Sequence, residues 1–300
     1  HMTSIPPENP QIERKGRLVL GLDSSWINPD PHVRPIYSLM KVGYYAYGTG
    51  ILKRGYRYGS KVDIKLGEEV YVEAPLGRRL MGSVDLAVWE FELFGDLVEE
   101  FLAQLKTKLK RKPIVLYDGS FSLSYALNYT RREQERLLSA LWKFIDKVKR
   151  LDAVPVGVYH TLSRALVSTI VRGILCGDKP ACSVCIRENS ERGVKPSCRR
   201  YLQVSDASFL RRILNVDHRS PTFQVVNELL EGYDLYSFYL KSDDYNILRI
   251  EVPKWVGLDG VKEVHRVLVA QVSLARSRGG EGYPYALMRA HENVVIKSVD

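Results

Sequence analysis

Leu116-Tyr117-Asp118-Gly119-Ser120 is the stretch that predicts the fold. It follows a short apolar run, Pro113-Ile114-Val115, and an apolar run that ends in Asp-Gly is typical of a buried strand leading into a turn. A similar pattern, Leu18-Val19-Leu20-Gly21-Leu22-Asp23-Ser24-Ser25, lies near the start of the chain. Two strands that each end in an acid beside small hydroxyl residues predict one shared acidic site.

Composition and charge limit the classes of function. The chain has 300 residues, a formal net charge of +9 and 18 tyrosines, many of them close to lysine or arginine. This combination suits binding to the phosphates and bases of DNA, although tyrosines also pack in cores, and that alternative stays open. The sequence has no run of 18 or more apolar residues, which would predict a membrane span, and no signal peptide follows His1-Met2. These two observations favour a cytoplasmic protein.

Hydrophobic periodicity predicts the order of the elements. Period-two segments between residues 36 and 73 predict an antiparallel meander after a first strand at 17–23. Apolar residues at helical spacing predict long helices at 79–108 and 130–150, on either side of the strand that ends at Asp118. The later pattern predicts strands at 153–159, 235–241 and 246–252, and helices at 162–175, 204–214, 262–275 and from 285 onward.

This order of elements is that of an α/β, ribonuclease-H-like fold, in which a mixed sheet is flanked by helices. We expect residues 1–16 to form a flexible N-terminal tail and residues 17–300 a single domain. A polar segment at 176–200 interrupts the pattern and predicts a Cys-containing insertion.

A third acid lies on the apolar stripe of the first predicted helix. Glu90 falls close to Leu86, Leu93 and Leu97, and an acid on an apolar face is costly unless it has a partner. In the ribonuclease-H-like arrangement the first and fourth strands lie side by side and the first helix supplies a further acid. By this analogy of fold, Asp23, Glu90 and Asp118 share one pocket.

Clustered carboxylates repel one another and therefore need a cation. Their hard oxygens suit Mg²⁺ or Mn²⁺, and two such ions can clamp the attacking and leaving oxygens of a phosphodiester. His291, on the last predicted helix, is a candidate fourth ligand or proton donor. Turn or cap roles for the two aspartates, and simple packing for His291, stay open. An aspartic protease is disfavoured, because neither stretch has the Asp-Ser/Thr-Gly order.

The four cysteines all lie in the predicted insertion. A Cys-x2-Cys pair with two flanking cysteines predicts a zinc or iron–sulfur site, although the spacing matches no standard motif. Two disulfides or free thiols are the alternatives. The residues concerned are Cys176, Cys182, Cys185 and Cys198.

Several segments resemble the NurA nucleases of archaea and some bacteria, over roughly residues 17–298. Two positions depart from the family pattern, since Ser24 stands where Gly is usual and His160 where Lys is common. The segments that carry the resemblance are Leu22-Asp23-Ser24-Ser25, Tyr117-Asp118-Gly119-Ser120, Val156-Gly157-Val158-Tyr159-His160-Thr161, Val204-Ser205-Asp206 with Arg219-Ser220-Pro221, Arg249-Ile250-Glu251-Val252-Pro253, and Gly282-Tyr283-Pro284-Tyr285-Ala286-Leu287 with Ala290-His291.

The resemblance implies a Mn²⁺-dependent 5′→3′ exonuclease and single-strand endonuclease that acts on DNA in end resection for double-strand-break repair. It also implies a homodimer partnered by the HerA hexameric translocase. The implied metal site falls on Asp23, Glu90, Asp118 and His291, and Asp206 is either a further site residue or a helix N-cap.

Four residues near the last helix are candidates for DNA contacts. Tyr283 and Tyr285 are expected to line the path of the strand, and Arg276 and Arg278 to contact its backbone. The alternative function is a non-catalytic DNA-binding or HerA-type translocase adaptor protein of the same fold.

Overall fold

The computed structural model describes residues 4–7, 17–74, 77–105, 107–160, 204–225 and 232–296. The chain divides into two compact units, and the larger one contains Asp23, Glu90, Asp118 and His291. The predicted helix at 162–175 and insertion at 176–200, with its four cysteines, lie outside the described residues, as does most of the predicted tail. The predicted single domain over 17–300 stays a prediction. The larger unit comprises Pro7–Tyr159, Thr222–Phe238 and Ile250–Asp300, and the smaller His1–Pro6, His160–Pro221 and Tyr239–Arg249.

An eight-stranded mixed sheet is the main element. The strands are β1 (Val19–Ile27), β2 (Tyr37–Tyr47), β3 (Tyr56–Leu66), β4 (Tyr71–Ala74), β5 (Gly77–Leu80), β6 (Ile114–Asp118), β7 (Val154–His160), β8 (Phe223–Val225), β9 (Leu235–Lys241) and β10 (Ile247–Pro253). The order in the sheet is β3-β2-β1-β6-β7-β10-β9-β8, and β4 and β5 form a separate two-stranded sheet. Strands β9 and β10 contribute residues to both units.

The strand directions confirm the predicted fold class. Strands β1, β2 and β3 form an antiparallel meander, whereas β6 runs parallel to β1 on its other side and β7 runs parallel to β6. The meander followed by parallel strands is the ribonuclease-H-like arrangement. It places the C-terminal end of β6, at Asp118, beside the middle of β1, which continues past the predicted end of the first strand at residue 23 to Ile27.

Helices cover the two faces of the β1–β6 part of the sheet. The helices in the described residues are α1 (Ser83–Ala103), α2 (Arg131–Arg150), α3 (Asp206–Ile213), α4 (Gly257–Arg276) and α5 (Tyr285–Val294). Leu20 and Leu22 of β1 lie in the hydrophobic core with α1 and α2, whereas a Cβ on Gly21 would lie 2.4 Å from the backbone of Ala286 in α5. Because side chains alternate along a strand, α5 packs on the face opposite α1.

The predicted start of the first long helix was wrong. Residues 77–80 form β5, which pairs with β4, and α1 begins only at Ser83. Gly82 precedes the helix in an extended conformation, and its N–H donates to the Asp85 carboxylate at 2.9 Å. The helix at 262–275 likewise begins earlier than predicted, at Gly257. Among the described residues, none of the helices combines the length and apolarity needed to cross a bilayer.

Candidate active site

Two aspartates lie where the pairing of two neighbouring parallel strands ends. Leu22 of β1 is in register with Tyr117 of β6, so Asp23 and Asp118 are the next residues on their strands. Tyr117 and Leu22 belong to the core on the α1 face. Since successive side chains alternate, both aspartates face the other side of the sheet, where α5 lies.

Asp23 is held by two donors. His291 Nδ1, from α5, lies 2.7 Å from Asp23 Oδ2, and the backbone N–H of Ser24 donates to Asp23 Oδ1 at 2.8 Å. Burial and the nearby Asp118 charge raise the pKa of Asp23, and the contacts with Ser24 and His291 only partly oppose this. The two aspartates are therefore close enough to repel each other, as predicted for a shared acidic site.

Asp118 is engaged by Tyr283. The Tyr283 hydroxyl lies 2.6 Å from Asp118 Oδ1 and also contacts the carbonyl oxygen of Val158 at 3.3 Å. Burial, with the Asp118 charge beside it, raises the pKa of Tyr283, so the phenol keeps its proton and donates to the carboxylate. Tyr283 is therefore in contact with Asp118, a candidate metal ligand. Its contact with a DNA strand stays a prediction.

Glu90 approaches from the opposite face of the sheet. It lies in α1 and is buried, which confirms the predicted inward orientation. The Ser24 hydroxyl donates to Glu90 Oε1, and the Tyr117 hydroxyl lies 3.5 Å from Oε2. Burial, assisted by the charges of Asp23 and Asp118, raises the pKa of Glu90 to about 7.

The four predicted ligands are neighbours, but they do not converge on one point. Asp23 contacts His291, and Asp118 lies beside Asp23, whereas Glu90 is turned toward Ser24. Over the residues that the structure describes, no three His, Cys, Asp or Glu side chains are arranged to hold a metal ion. The four-ligand set therefore stays a prediction.

The donor chemistry nevertheless fits a divalent cation. Asp23 and Asp118 present hard oxygens on one face of two adjacent strands, and the pKa values of Asp23 and Glu90 are both raised. A cation beside these carboxylates would offset their mutual repulsion.

Glu251 is a residue of this region that the sequence did not single out. It is fully buried in β10 and accepts hydrogen bonds from Ser122 N–H at 2.9 Å, Ser120 Oγ at 3.1 Å and Tyr159 Oη at 3.3 Å. These contacts fix the turn that follows Asp118. The signal in the sequence was an acid inside an apolar strand, because such a group is retained only when it is hydrogen-bonded.

Ser24 is the second residue whose role was missed. In the sequence, this residue was notable only because the family usually has Gly at this position. In the structure its backbone serves Asp23 and its hydroxyl serves Glu90.

The remaining candidates have different surroundings. Tyr285 is buried and Arg278 lies over its ring, with 4.7 Å between guanidinium carbon and ring centroid. Arg276 is the last residue of α4. Asp206, in the smaller unit, accepts from Tyr239 Oη at 2.7 Å. The N-cap of α3 is Ser205, so the N-cap role considered for Asp206 is wrong.

Comparison with known proteins gives a family match over nearly the whole chain. A family model described as NurA domain matches residues 17–296. None of the curated proteins compared with the chain matches it.

Solved structures with similarity to the chain include several nucleases. NurA with manganese is 9% identical and covers 97% of this chain and 90% of its own, with a TM-score of 0.44. The structure of NurA bound to dAMP and manganese is 9% identical, and the match covers 100% of this chain and 88% of that one, with a TM-score of 0.41. The catalytic domain of human Endonuclease V is 17% identical, and the match covers 97% of this chain and 87% of that one, with a TM-score of 0.39. At these TM-scores the likeness supports no argument about function.

Proposed function

The chain belongs to the NurA family, and we propose that it is a metal-dependent nuclease that hydrolyses DNA at the Asp23–Asp118 pair. One arrangement carries the proposal: two carboxylates at the point where two parallel strands stop pairing, facing the same side, with His291 in contact with one of them. The net charge of +9 suits a polyanionic substrate.

Asp23, Asp118 and His291 would hold the ion, and Glu90 would complete the set from the α1 face. A bound Mn²⁺ or Mg²⁺ supplies positive charge to the phosphodiester and activates water as the nucleophile, and a second ion would stabilise the leaving oxygen. Ser24 orients two of these acids, because its N–H donates to Asp23 and its hydroxyl to Glu90. Tyr283 fixes the third through its hydrogen bond to Asp118.

The finer activity is also part of the proposal. By family resemblance we assign the chain Mn²⁺-dependent 5′→3′ exonuclease and single-strand endonuclease activity in DNA end resection. The same resemblance supports a cytoplasmic homodimer that works with a HerA-like hexameric translocase. A zinc or iron–sulfur site at the four cysteines remains part of the proposal, and metal analysis of the purified protein tests it.

A non-catalytic adaptor is the second candidate. It is favoured by one observation, namely that each of the three carboxylates already accepts a hydrogen bond from a protein donor. Such a protein would bind DNA or a translocase without cleaving it.

The deciding experiment is digestion of end-labelled linear DNA in Mn²⁺, Mg²⁺ or EDTA. A nuclease should digest the DNA with a divalent ion and not in EDTA, and Asp23→Asn and Asp118→Asn should each reduce the rate at least a hundredfold while DNA binding is kept. Asp259→Asn is the matched control, because its side chain is 96% exposed and pairs only locally with Lys262. If the wild-type protein binds DNA and leaves it intact under every ion, the adaptor function replaces the nuclease.

A further inference from the structure

A pocket of about 380 Å³ opens beside α5, on the flank away from Asp118. Strands β2 and β3 form its floor and α5 forms one wall. Of its lining residues, only Tyr285 and Arg278 were candidates from the sequence. The lining consists of Tyr45, Tyr56, Tyr58, Arg278, Tyr285, Arg289 and Asn293.

Three of the tyrosines form a stack of nearly parallel rings. The Tyr45 and Tyr56 rings are 5.7 Å apart at 7°, and the Tyr56 and Tyr58 rings are 6.5 Å apart at 9°. Exposure rises outward along the stack, from 5% for Tyr45 to 41% for Tyr56 and 60% for Tyr58. A core-packing role explains Tyr45 but leaves the two outer rings, which present apolar surface to solvent, unexplained.

Positive charge surrounds the stack. The guanidinium carbon of Arg289 lies 5.9 Å from the centroid of the Tyr45 ring, and Arg278 lies over Tyr285. No acidic side chain is part of the lining. The buried Nε of Arg289 has no hydrogen-bond partner within the described part of the chain, although its guanidinium pairs with Glu292. An anionic ligand with flat rings matches this surface in both charge and shape.

The pocket and the carboxylates share one helix. Tyr285, Arg289 and Asn293 follow one another at i, i+4 and i+8 of α5 and face the pocket, whereas His291 faces Asp23. Asp23 is paired with Gly43 across β1 and β2, two residues from Tyr45. The Cα atoms of Asp23 and Tyr45 are therefore roughly 8 Å apart, because two strand residues rise about 6.7 Å and adjacent strands lie about 4.8 Å apart.

We propose that this tyrosine pocket stacks a base of an unpaired DNA strand and positions the adjoining backbone for the Asp23–Asp118 pair. The inference rests on the proposed function only in taking that pair as the cleavage site. Tyr58 and Tyr56 supply ring surface, and Arg278 and Arg289 contact phosphates. A base in duplex DNA is already stacked on its neighbours, so the pocket selects single strands.

Binding in EDTA tests the inference without requiring cleavage. The probe is a short fluorescein-labelled oligothymidylate, followed by anisotropy, beside a duplex of the same length. Tyr58→Ala should raise the Kd for the single strand about tenfold, and Tyr56→Ala with Tyr58→Ala more. Tyr58→Phe should bind like the wild type, because the ring is kept. Tyr245→Ala, which removes a tyrosine that is 78% exposed in the smaller unit, is the matched control.

The following results would overturn the inference. Unchanged single-strand affinity in the double variant excludes stacking at this pocket. An equal loss for duplex indicates charge attraction alone, and an equal loss in Tyr58→Phe indicates disturbed folding, which melting curves would reveal. Binding of an acidic protein that depends on the tyrosines, without oligonucleotide binding, would assign the pocket to a protein partner. If, by contrast, the stack binds single strands but the protein never cleaves them, the proposed function fails, whereas the stacking part of this inference stands.

Discussion

Ser24 donates its hydroxyl hydrogen to the buried carboxylate of Glu90. The same residue donates its backbone N–H to Asp23, whose side chain lies on the opposite face of β1. One serine therefore links acids that approach β1 from the two sides of the sheet.

Removing the Ser24 hydroxyl should destabilise the protein. Ser24→Ala leaves a buried carboxylate without its nearest donor, and the expected loss of unfolding free energy is about 1–3 kcal/mol. Urea denaturation measures it. Ser24→Gly, the residue usual in the family, should lose a similar amount yet keep DNA cleavage within a few fold, since the N–H to Asp23 remains. Unaltered stability in both variants would show that the hydroxyl contributes nothing.

Tyr283 should act as a positioning residue for Asp118. Tyr283→Phe removes the hydroxyl that contacts Asp118 Oδ1 but keeps the ring. Hydrogen bonds to charged groups contribute about 1.5–3 kcal/mol, so kcat for DNA hydrolysis should fall roughly tenfold or more, with KM little changed. Steady-state kinetics separates the two constants. A rise in KM at unchanged kcat would instead assign Tyr283 to strand binding, as the sequence first suggested.

Glu251 should control the turn after Asp118. Glu251→Ala leaves Ser122 N–H and Ser120 Oγ without their buried acceptor, at a cost of about 1–3 kcal/mol or more in unfolding free energy. Glu251→Gln keeps one acceptor oxygen and should lose less. Thermal denaturation compares them, with the exposed Glu135→Gln as the control. Equal stability of all three variants would mean that the turn is held by other contacts.

Asp85 should make stability depend on acid pH. Burial alone would raise the pKa of Asp85, but the Gly82 N–H and the guanidinium groups of Arg79 and Arg136 outweigh it and hold the pKa below its usual value of 3.8. Because the folded pKa is the lower one, the stabilisation is complete above the unfolded pKa and is lost as pH falls through the folded pKa.

Denaturation midpoints from pH 7 down to pH 2 check this. Wild type should lose stability below about pH 4 more steeply than Asp85→Asn, which lacks the titrating group. At neutral pH the Asn variant should already be less stable by about 1–3 kcal/mol. Parallel pH curves for the two proteins would contradict the expectation.

Structural features that depend on residues close together in the chain were predicted well from the sequence. The Asp-Gly turn after an apolar run placed β6, and the helical stripe around Glu90 gave its inward direction. The start of α1 was missed because the pairing of β4 with β5, not the apolar period, decides where that helix begins. Propensity within a short window contains no information about such a partner.

Contacts between distant segments could not be predicted from the sequence. Glu251 meets Ser120 across 131 residues, and an acid in an apolar strand does not say which donors surround it. The tyrosine pocket was missed for the same reason, since α5 is far along the chain from the two consecutive strands β2 and β3 that supply the other rings. Tyr285 and Arg278 pointed to it, but nothing in the sequence joined them to Tyr56 and Tyr58.

The helix α5 packs closely on β1 because residue 21 is a glycine, whose side chain is a single hydrogen atom. At Gly21 even a methyl group would collide with the main chain of Ala286, so the helix would have to lift. Its displacement would carry His291 away from Asp23 on one flank and Arg289 away from Tyr45 on the other. The smallest residue in β1 thus sets the spacing of two sites at once, and mutations there would impair both together.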